Sequence, residues 1–415
     1  MGFLNKKFCL LAILFIRTLP KKLLERTKKL IFARSSLITP TTLLRLSKAL
    51  AVKGASMMQR VTGFDLARAL AIFGMVIVNF KIAMNAEVGN SLLISFAKLF
   101  EGRASALFVI LAGIGVTLLT KKATTSAGSL FIIKSRISLI KRGLLLIAIG
   151  LIYTPIWEAD ILHFYGFYFL IAAVTFMLND KLLLLISAVI TLIFPVLMLL
   201  FNYEQNWSWS TLTYENLWSF DGMIRHIVFN GFHPIFPWAA FLTFGMWLGR
   251  QDLSQSLIRN RLLAVSITTL AVTESSFYFL RAALGDGSAL GMTTEEVTFL
   301  FSTSIIPPLP QYIVSAGSSA VIVLVGCLYF SERFSESKLN KWLIKTGQLS
   351  LTLYVAHIIV GMGFLELIGR LENQTIDFSL LSAFIFCVCG IGFSAVWLKY
   401  FKVGPLEWLF RKVAS

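Results

Sequence analysis

Ten segments of this 415-residue chain are long enough and apolar enough to cross a lipid bilayer as helices. A spanning helix needs about 20 mostly apolar residues, because the hydrocarbon core of a bilayer is about 30 Å thick. Apolar residues make up 57% of the sequence and charged residues 14%, which excludes an ordinary water-soluble globule. The sequence therefore predicts an all-α integral membrane protein, a polytopic bundle of about ten transmembrane helices. The predicted spans are residues 62–84, 104–120, 137–153, 161–178, 182–201, 234–248, 262–280, 309–330, 349–368 and 378–400.

The positions of lysine and arginine predict how these spans are oriented. Basic residues stay on the cytoplasmic side of short loops, and here they gather in the loops after even-numbered spans and after the last span. Both termini are therefore predicted to be cytoplasmic, in a multi-pass protein of the inner (plasma) membrane. The formal net charge of +17 calls for no nucleic-acid partner, because the charges flank hydrophobic spans.

The first 56 residues differ from the rest of the chain in composition, since basic residues alternate there with short apolar runs. Such a segment is typical of a basic amphipathic extension that lies on an anionic membrane surface. The alternative is that Met57 or Met58 is the native start of the protein. In either case we expect residues 57–415 to form the polytopic transmembrane domain.

Three polar side chains share one face of the first predicted span. Asp65, Arg68 and Asn79 are separated by offsets of three, eleven and fourteen residues, which bring a helix back to nearly the same direction. A charge in hydrocarbon costs about 2.5–3.5 kcal/mol on insertion scales unless it faces a cavity or a partner. This face therefore predicts a polar site, although pairing of Asp65 with Arg68 that merely anchors the helix is an alternative for those two residues.

A second set of polar residues falls in the outer half of the other predicted spans. Imidazole titrates near neutral pH and a carboxylate can fix its tautomer, so the set suits general acid–base chemistry. His163 is favoured because Asp160 precedes it by one turn, whereas His357 also suits a helix–helix contact. His233 equally suits a helix start, and His226 is expected to be a surface or packing residue. The set consists of Glu101, Arg103, Trp157, Glu158, Asp160, His163, His233 and His357.

The histidines and cysteines show no spacing typical of a metal site. Neither an HExxH nor a CxxC pattern is present, and the four histidines lie on separate segments. No metal is therefore predicted.

Several sequence blocks resemble a family of bacterial membrane proteins. FDLARALAIFGMVIVN is similar to the opening D-x-x-R-G signature of the YeiB-like proteins, a family with a domain of unknown function. The same signature opens the related heparan-alpha-glucosaminide N-acetyltransferase catalytic domain. The resemblance covers roughly residues 63–411, and the ordered set of blocks is more specific than any one of them. The later blocks are GRASALFVILAGIG, ADILHFYGFYFL, GFHPIFPWAAFLTFGMWLGR, GQLSLTLYVAHIIVG and GPLEWLFR.

This resemblance implies a membrane acyltransferase that moves an acetyl or acyl group from cytoplasmic acyl-CoA to an extracytoplasmic glycan or other envelope acceptor. Asp65 and Arg68 match the opening signature, in which Ala69 replaces glycine. Asn79 matches a functional asparagine of heparan-alpha-glucosaminide N-acetyltransferase, which is a lysosomal enzyme. That enzyme has its active histidine in the following loop, whereas residues 82–97 of this chain contain no histidine.

The missing histidine means that another part of the chain has to supply the base. We expect His163, oriented by Asp160, or His357 to deprotonate the acceptor. Asn79 or Arg103 would then stabilise the oxyanion. The inner basic loops would attract the phosphates of acetyl-CoA or another acyl-CoA, the expected co-substrate. The expected substrate-binding residues are Asp65, Arg68, Glu101, Arg103, Trp157 and His233.

Two further expectations concern partners and the competing function class. Membrane lipid and an envelope glycan or lipid-linked acceptor are the expected partners, and a homo-oligomer is compatible with the sequence. The alternative hypothesis is a membrane transporter or flippase for a small polar or lipid-linked substrate, because polar residues lie at several depths of the predicted bundle.

Overall fold

The computed structural model describes residues 61–125, 128–209, 211–285, 287 and 291–414. The predicted basic extension at residues 1–56 and the choice of Met57 or Met58 as the start lie outside these residues. The helices in the first half of the chain are α1 (Thr62–Ala83), α2 (Ser91–Lys98), α3 (Arg103–Thr125), α4 (Ser129–Tyr153), α5 (Leu162–Thr175), α6 (Asp180–Leu200), α7 (Phe220–Arg225), the π-helix π1 (His226–Asn230) and α8 (Ile235–Leu248).

Helices also make up nearly all of the second half. The regular elements there are α9 (Ser256–Leu284), α10 (Thr294–Phe301), α11 (Pro310–Arg333), α12 (Lys338–Gln348), α13 (Ser350–Ala356), the π-helix π2 (His357–Met362), α14 (Gly363–Leu367), α15 (Ile376–Tyr400) and α16 (Pro405–Ala414). Within the described residues, the only sheet is the antiparallel pair β1 (Trp207–Ser208) and β2 (Thr213–Tyr214).

The chain is an all-α membrane protein, as its sequence predicted. Each of the ten predicted spans overlaps a helix. Seven helices of the described chain are long and apolar enough to cross a membrane, or eight if the bent pair Phe220–Asn230 and Ile235–Leu248 forms one span. The predicted spans 137–153 and 161–178 correspond to helices, α4 and α5, that are not both long and apolar enough to cross a membrane. The helix α4 carries several basic residues in its first half, and the 14-residue α5 extends only about 21 Å at 1.5 Å per residue.

The first helix lies at the centre of the bundle and packs against α3, α11, α12 and α15. Glycines allow two of these contacts: Gly63 meets Leu328 of α11, and Gly347 of α12 lies directly against the backbone of Asp65. By contrast, α9 packs mainly on α11 and leaves most of its apolar surface exposed. A central helix surrounded by protein can carry polar side chains, whereas a helix facing lipid cannot do so cheaply.

Close approach of α3 and α8 depends on glycines, two of which are four residues apart in the sequence. A Cβ added to Gly245 would stand 2.3 Å from the carbonyl oxygen of Ile110, and one added to Gly249 would stand 2.9 Å from Cα of Ile114. On the opposing helix, a Cβ on Gly113 would come within 2.2 Å of the Leu242 carbonyl oxygen. Small residues at both surfaces therefore let the two backbones touch.

The change Gly113→Ala should destabilise the bundle by about 1–3 kcal/mol, because the new methyl group overpacks a backbone contact. A lower thermal unfolding midpoint of the detergent-solubilised protein, followed by intrinsic fluorescence, would measure this. The matched control is Gly115→Ala on the same helix, where an added Cβ meets nothing within 4 Å. Equal midpoints for the two variants would contradict the proposed contact.

Candidate functional site

The central helix separates two groups of polar residues along the bundle. Asp65 and Arg68 lie in its first two turns, and Asn79 lies one turn before its end. We call the half of the bundle that contains Asn79, His163 and His357 the histidine end. The sequence-predicted polar face is thus divided between the two ends of one helix.

Asn79 and His357 meet although 278 residues separate them in the sequence. Asn79 Nδ2 lies 2.9 Å from His357 Nε2, and both residues are in the bundle interior. The other ring nitrogen, His357 Nδ1, faces the backbone carbonyl of Tyr354. A carbonyl only accepts, so Nδ1 carries the proton and Nε2 accepts from the Asn79 amide. His357 begins the π-helix π2, a local widening that often occurs at functional sites.

Asp160 and His163 form a second buried pair. Asp160 Oδ2 lies 3.2 Å from His163 Nδ1 and also accepts the backbone N–H of Leu162 at 2.9 Å. Asp160 is fully buried and His163 is 1% exposed. Because the carboxylate accepts, Nδ1 of His163 carries the proton and its Nε2 holds a lone pair. That Nε2 is buried and has no hydrogen-bond partner among the described residues.

Tyr354 links the two histidine pairs. Its hydroxyl donates to Asp160 Oδ1 at 3.3 Å and accepts the backbone N–H of Ile161 at 3.2 Å, while its carbonyl oxygen faces His357. The side chain is 1% exposed. One tyrosine of α13 therefore connects Asn79 and His357 with Asp160 and His163, although no local sequence pattern distinguishes it from a packing tyrosine.

The remaining histidines also lie in this region. The His226 ring stacks on that of His163 at 5.6 Å, so His226 is the packing residue that the sequence suggested rather than a surface one. His233 packs edge-on against Trp238 at 4.5 Å and is 7% exposed. In the described part of the chain, no group of three or more His, Cys, Asp or Glu residues is arranged to hold a metal ion.

A small cavity lies beside Asn79 and the loop that carries Asp160. Its volume is ≈ 20 Å³, enough for about one water molecule. Residues that line it include Asn79, Ser105, Ile161, His233 and Tyr354. The cavity thus touches an amide, a histidine and a tyrosine from three different helices or loops, whereas Asp160, His163 and His357 lie outside its lining.

Ion pairs hold the predicted residues Glu101 and Arg103 outside this cavity. Glu101 lies 3.0 Å from Lys81 Nζ, which also contacts Glu87 at 2.5 Å. Arg103 donates to Glu274 of α9 at 2.7 Å. The predicted Trp157 packs at the edge of the core, and its indole nitrogen makes no hydrogen bond within the described chain.

Basic side chains gather at the opposite end of the bundle. Arg68 donates to Asp65 at 2.6 Å and keeps 25% of its side chain exposed. Ser138 donates to the Ala414 carbonyl at 3.0 Å, which holds α16 against α4. One turn away on each helix, Arg142 and Arg411 lie close enough to repel each other. Neither has an acidic partner among the described residues.

Two family models match the chain, and no curated protein matches it significantly. Residues 60–280 match the family described as heparan-alpha-glucosaminide N-acetyltransferase, catalytic. Residues 309–415 match DUF418, described as a protein of unknown function. Asn79, Asp160 and His163 come from the first region and His357 from the second. The chain is therefore a multi-pass membrane protein that belongs to the heparan-alpha-glucosaminide N-acetyltransferase catalytic family, with a C-terminal DUF418 region.

Proposed function

We propose that this protein is a membrane acyltransferase that moves an acetyl or acyl group from acyl-CoA to a hydroxyl or amine of an envelope glycan or similar acceptor. The observation that carries the proposal is the 2.9 Å contact between Asn79 Nδ2 and His357 Nε2. It supplies a histidine beside the asparagine that the family resemblance singles out, in a chain whose following loop has none.

His163 is the general base in this proposal. Its protonated Nδ1 is held by Asp160, which leaves the Nε2 lone pair as the only basic position on the ring. The carboxylate stabilises the imidazolium that forms when Nε2 takes a proton. His357 suits this role less well, because its Nε2 already accepts from Asn79.

Asn79 stabilises the oxyanion, and His357 is a positioning residue for it. One N–H of the Asn79 amide is directed to His357, so the second N–H remains for a ligand in the cavity that Asn79 lines. A donor held in place before the reaction is worth more than a mobile one, because no reorganisation accompanies the developing charge.

In the proposed acyl transfer, His163 moves the proton and Asn79 stabilises the negative charge. His163 Nε2 removes the proton from the acceptor O–H or N–H while the oxygen or nitrogen attacks the thioester carbonyl carbon. Asn79 donates to the tetrahedral oxyanion. The C–S bond then breaks, and the imidazolium returns its proton to the departing thiolate, giving free CoA and the acylated acceptor.

The basic end of the bundle is where we place the CoA phosphates. Arg142 and Arg411 repel each other unless an anion lies between them, and Arg68 on α1 is partly exposed. Arg68 and Asn79 are about 16 Å apart along the helix axis, at about 1.5 Å per residue. With both termini cytoplasmic, donor and acceptor would approach from opposite sides of the inner membrane.

Substrates enter only if the bundle opens at the histidine end. The ≈ 20 Å³ cavity holds about one water, far less than an acyl group with an acceptor. We propose that binding of the donor separates the helices around the cavity and exposes the His163 and Asn79 side chains to both substrates.

Acetyl-CoA should raise the thermal unfolding midpoint of the purified protein, by the equivalent of about 2.7 kcal/mol at a hundredfold excess over Kd. Acetylpantetheine, which lacks the nucleotide phosphates, should stabilise less. The variant Arg142→Gln should weaken the acetyl-CoA effect, and Arg370→Gln, which changes an exposed arginine beyond α14, should not. A midpoint unaffected by acetyl-CoA, with no thiol released, would favour the transporter hypothesis.

The change His163→Gln should lower kcat for thiol release from acetyl-CoA by about 10²–10⁴-fold, because the base is lost. Asp160→Asn should lower it as well, since an amide can donate to Nδ1 and so reverse the tautomer. His226→Gln is the matched control: it removes a neighbouring buried histidine that has no carboxylate partner. Wild-type turnover in His163→Gln, with the protein folded, would show that the base is elsewhere.

Removal of the Asn79 donor by Asn79→Ala should cost about 10²–10³-fold in kcat. If His357 only positions Asn79, two substitutions of His357 should differ in how much activity they leave. Gln at this position can still accept from the Asn79 amide, so His357→Gln should keep much more activity than His357→Ala. Equal loss in both variants would identify His357 as the base and overturn the assignment of His163.

A further inference from the structure

A second and much larger cavity lies beside the loop that carries Asp160. Its volume is ≈ 350 Å³, and its lining includes Thr154, Glu158, Tyr214, Asn216 and Trp218. Small-molecule sites usually measure about 300–1,000 Å³. This cavity is therefore large enough for a single small ring and too small for a whole CoA molecule.

Several groups in this cavity have hydrogen-bonding or stacking capacity that the protein leaves unused. Glu158 Oε2 accepts the backbone N–H of Tyr214 at 3.0 Å, and Oε1 makes no hydrogen bond with the described residues. The Trp218 side chain is 63% exposed and stacks on no other aromatic ring that the structure describes. The side-chain amide of Asn216 is likewise unbonded within the described chain.

The segment that carries Tyr214 and Trp218 is fixed to the bundle. The Trp207 indole donates to the Asn230 carbonyl at 2.6 Å, and the Tyr214 hydroxyl donates to Asn230 Oδ1 at 2.8 Å. The strands β1 and β2 pair between these anchors. A wall held in this way loses little freedom when a ligand binds, which favours affinity.

One loop forms a wall of both cavities. Within residues 154–161, which we call the bridging loop, Thr154 and Glu158 line the large cavity, whereas Ala159 and Ile161 line the small one. Asp160 lies between them and is fully buried. A ligand in the large cavity is thus one loop away from the Asp160 and His163 pair.

We infer that the large cavity binds a sugar ring of hexose size, with the apolar C–H face of the ring on Trp218 and a hydroxyl or ammonium group donating to Glu158 Oε1. A sugar presents one apolar face and a rim of polar groups, which matches an exposed indole beside a carboxylate and an amide. A tryptophan that only anchors a membrane interface has no need to share a cavity with a carboxylate. The inference rests on the proposed function, because the bound ring would be the acyl acceptor or its neighbour.

Saturation-transfer NMR on the full-length protein in detergent tests this directly. The probes are methyl α-glucoside, glucosamine and N-acetylglucosamine. Choline is the non-sugar control, because a carboxylate and an indole can also bind a simple organic cation. We expect magnetisation to be transferred from the wild-type protein to the ring protons of the sugars. Trp218→Ala should raise the sugar Kd about tenfold, as loss of an aromatic contact does, whereas Trp218→Phe should retain most of the affinity.

The matched control is Trp408→Ala, which removes another exposed tryptophan, on α16. It should leave sugar binding unchanged. Absence of sugar signals in the wild type, equal signals in Trp218→Ala, or saturation of choline alone would each overturn the inference. Thiol release from acetyl-CoA is measured separately, so sugar binding without any acyl transfer would reject the proposed function and leave the sugar site standing.

Discussion

A polar side chain inside a hydrocarbon layer is stable only when another protein group satisfies it, and this constraint explains the arrangement of the bundle around α1. On this helix Asn79 bonds to His357, while Lys81 bonds to Glu87 and Glu101. Each contact comes from a different part of the chain. The central position of α1 follows, because only a helix surrounded by others can find so many polar partners.

The histidine end combines rigid and adaptable features. Asp160 is held by four hydrogen bonds, from two backbone N–H groups, the His163 ring and the Tyr354 hydroxyl, so its charge is well compensated without water. Within the part of the chain that the structure describes, His163 Nε2 is buried without a hydrogen-bond partner. Because Nδ1 of His163 carries the proton, Nε2 is an acceptor; an unsatisfied buried acceptor is costly to maintain, and binding of a substrate O–H or N–H is the simplest reason to keep it.

Sequence reasoning identified the fold class and the direction of the polar face on α1, because both depend on local patterns. Apolar length predicts a helix, and the period of 3.6 residues puts Asp65, Arg68 and Asn79 on one side of it, at different depths. The pairing of Asp160 with His163 was also accessible, since one helical turn separates them. The partner of Asn79 was not, because His357 is 278 residues away and nothing local distinguishes it from a packing histidine. The same limit applies to Arg103 and Glu274, which were each recognisable as charges but not as a pair.

The hydrogen bond between Asn79 and His357 joins the two regions that different family models match. A chain with only the first region would bury an amide with no acceptor, and one with only the second would bury an imidazole with an empty acceptor nitrogen. Tyr354 adds a second dependence, because its hydroxyl bonds to Asp160 of the first region. The boundary between the two matched regions therefore does not separate two independent structural units in this chain, because one buried hydrogen-bond network crosses it.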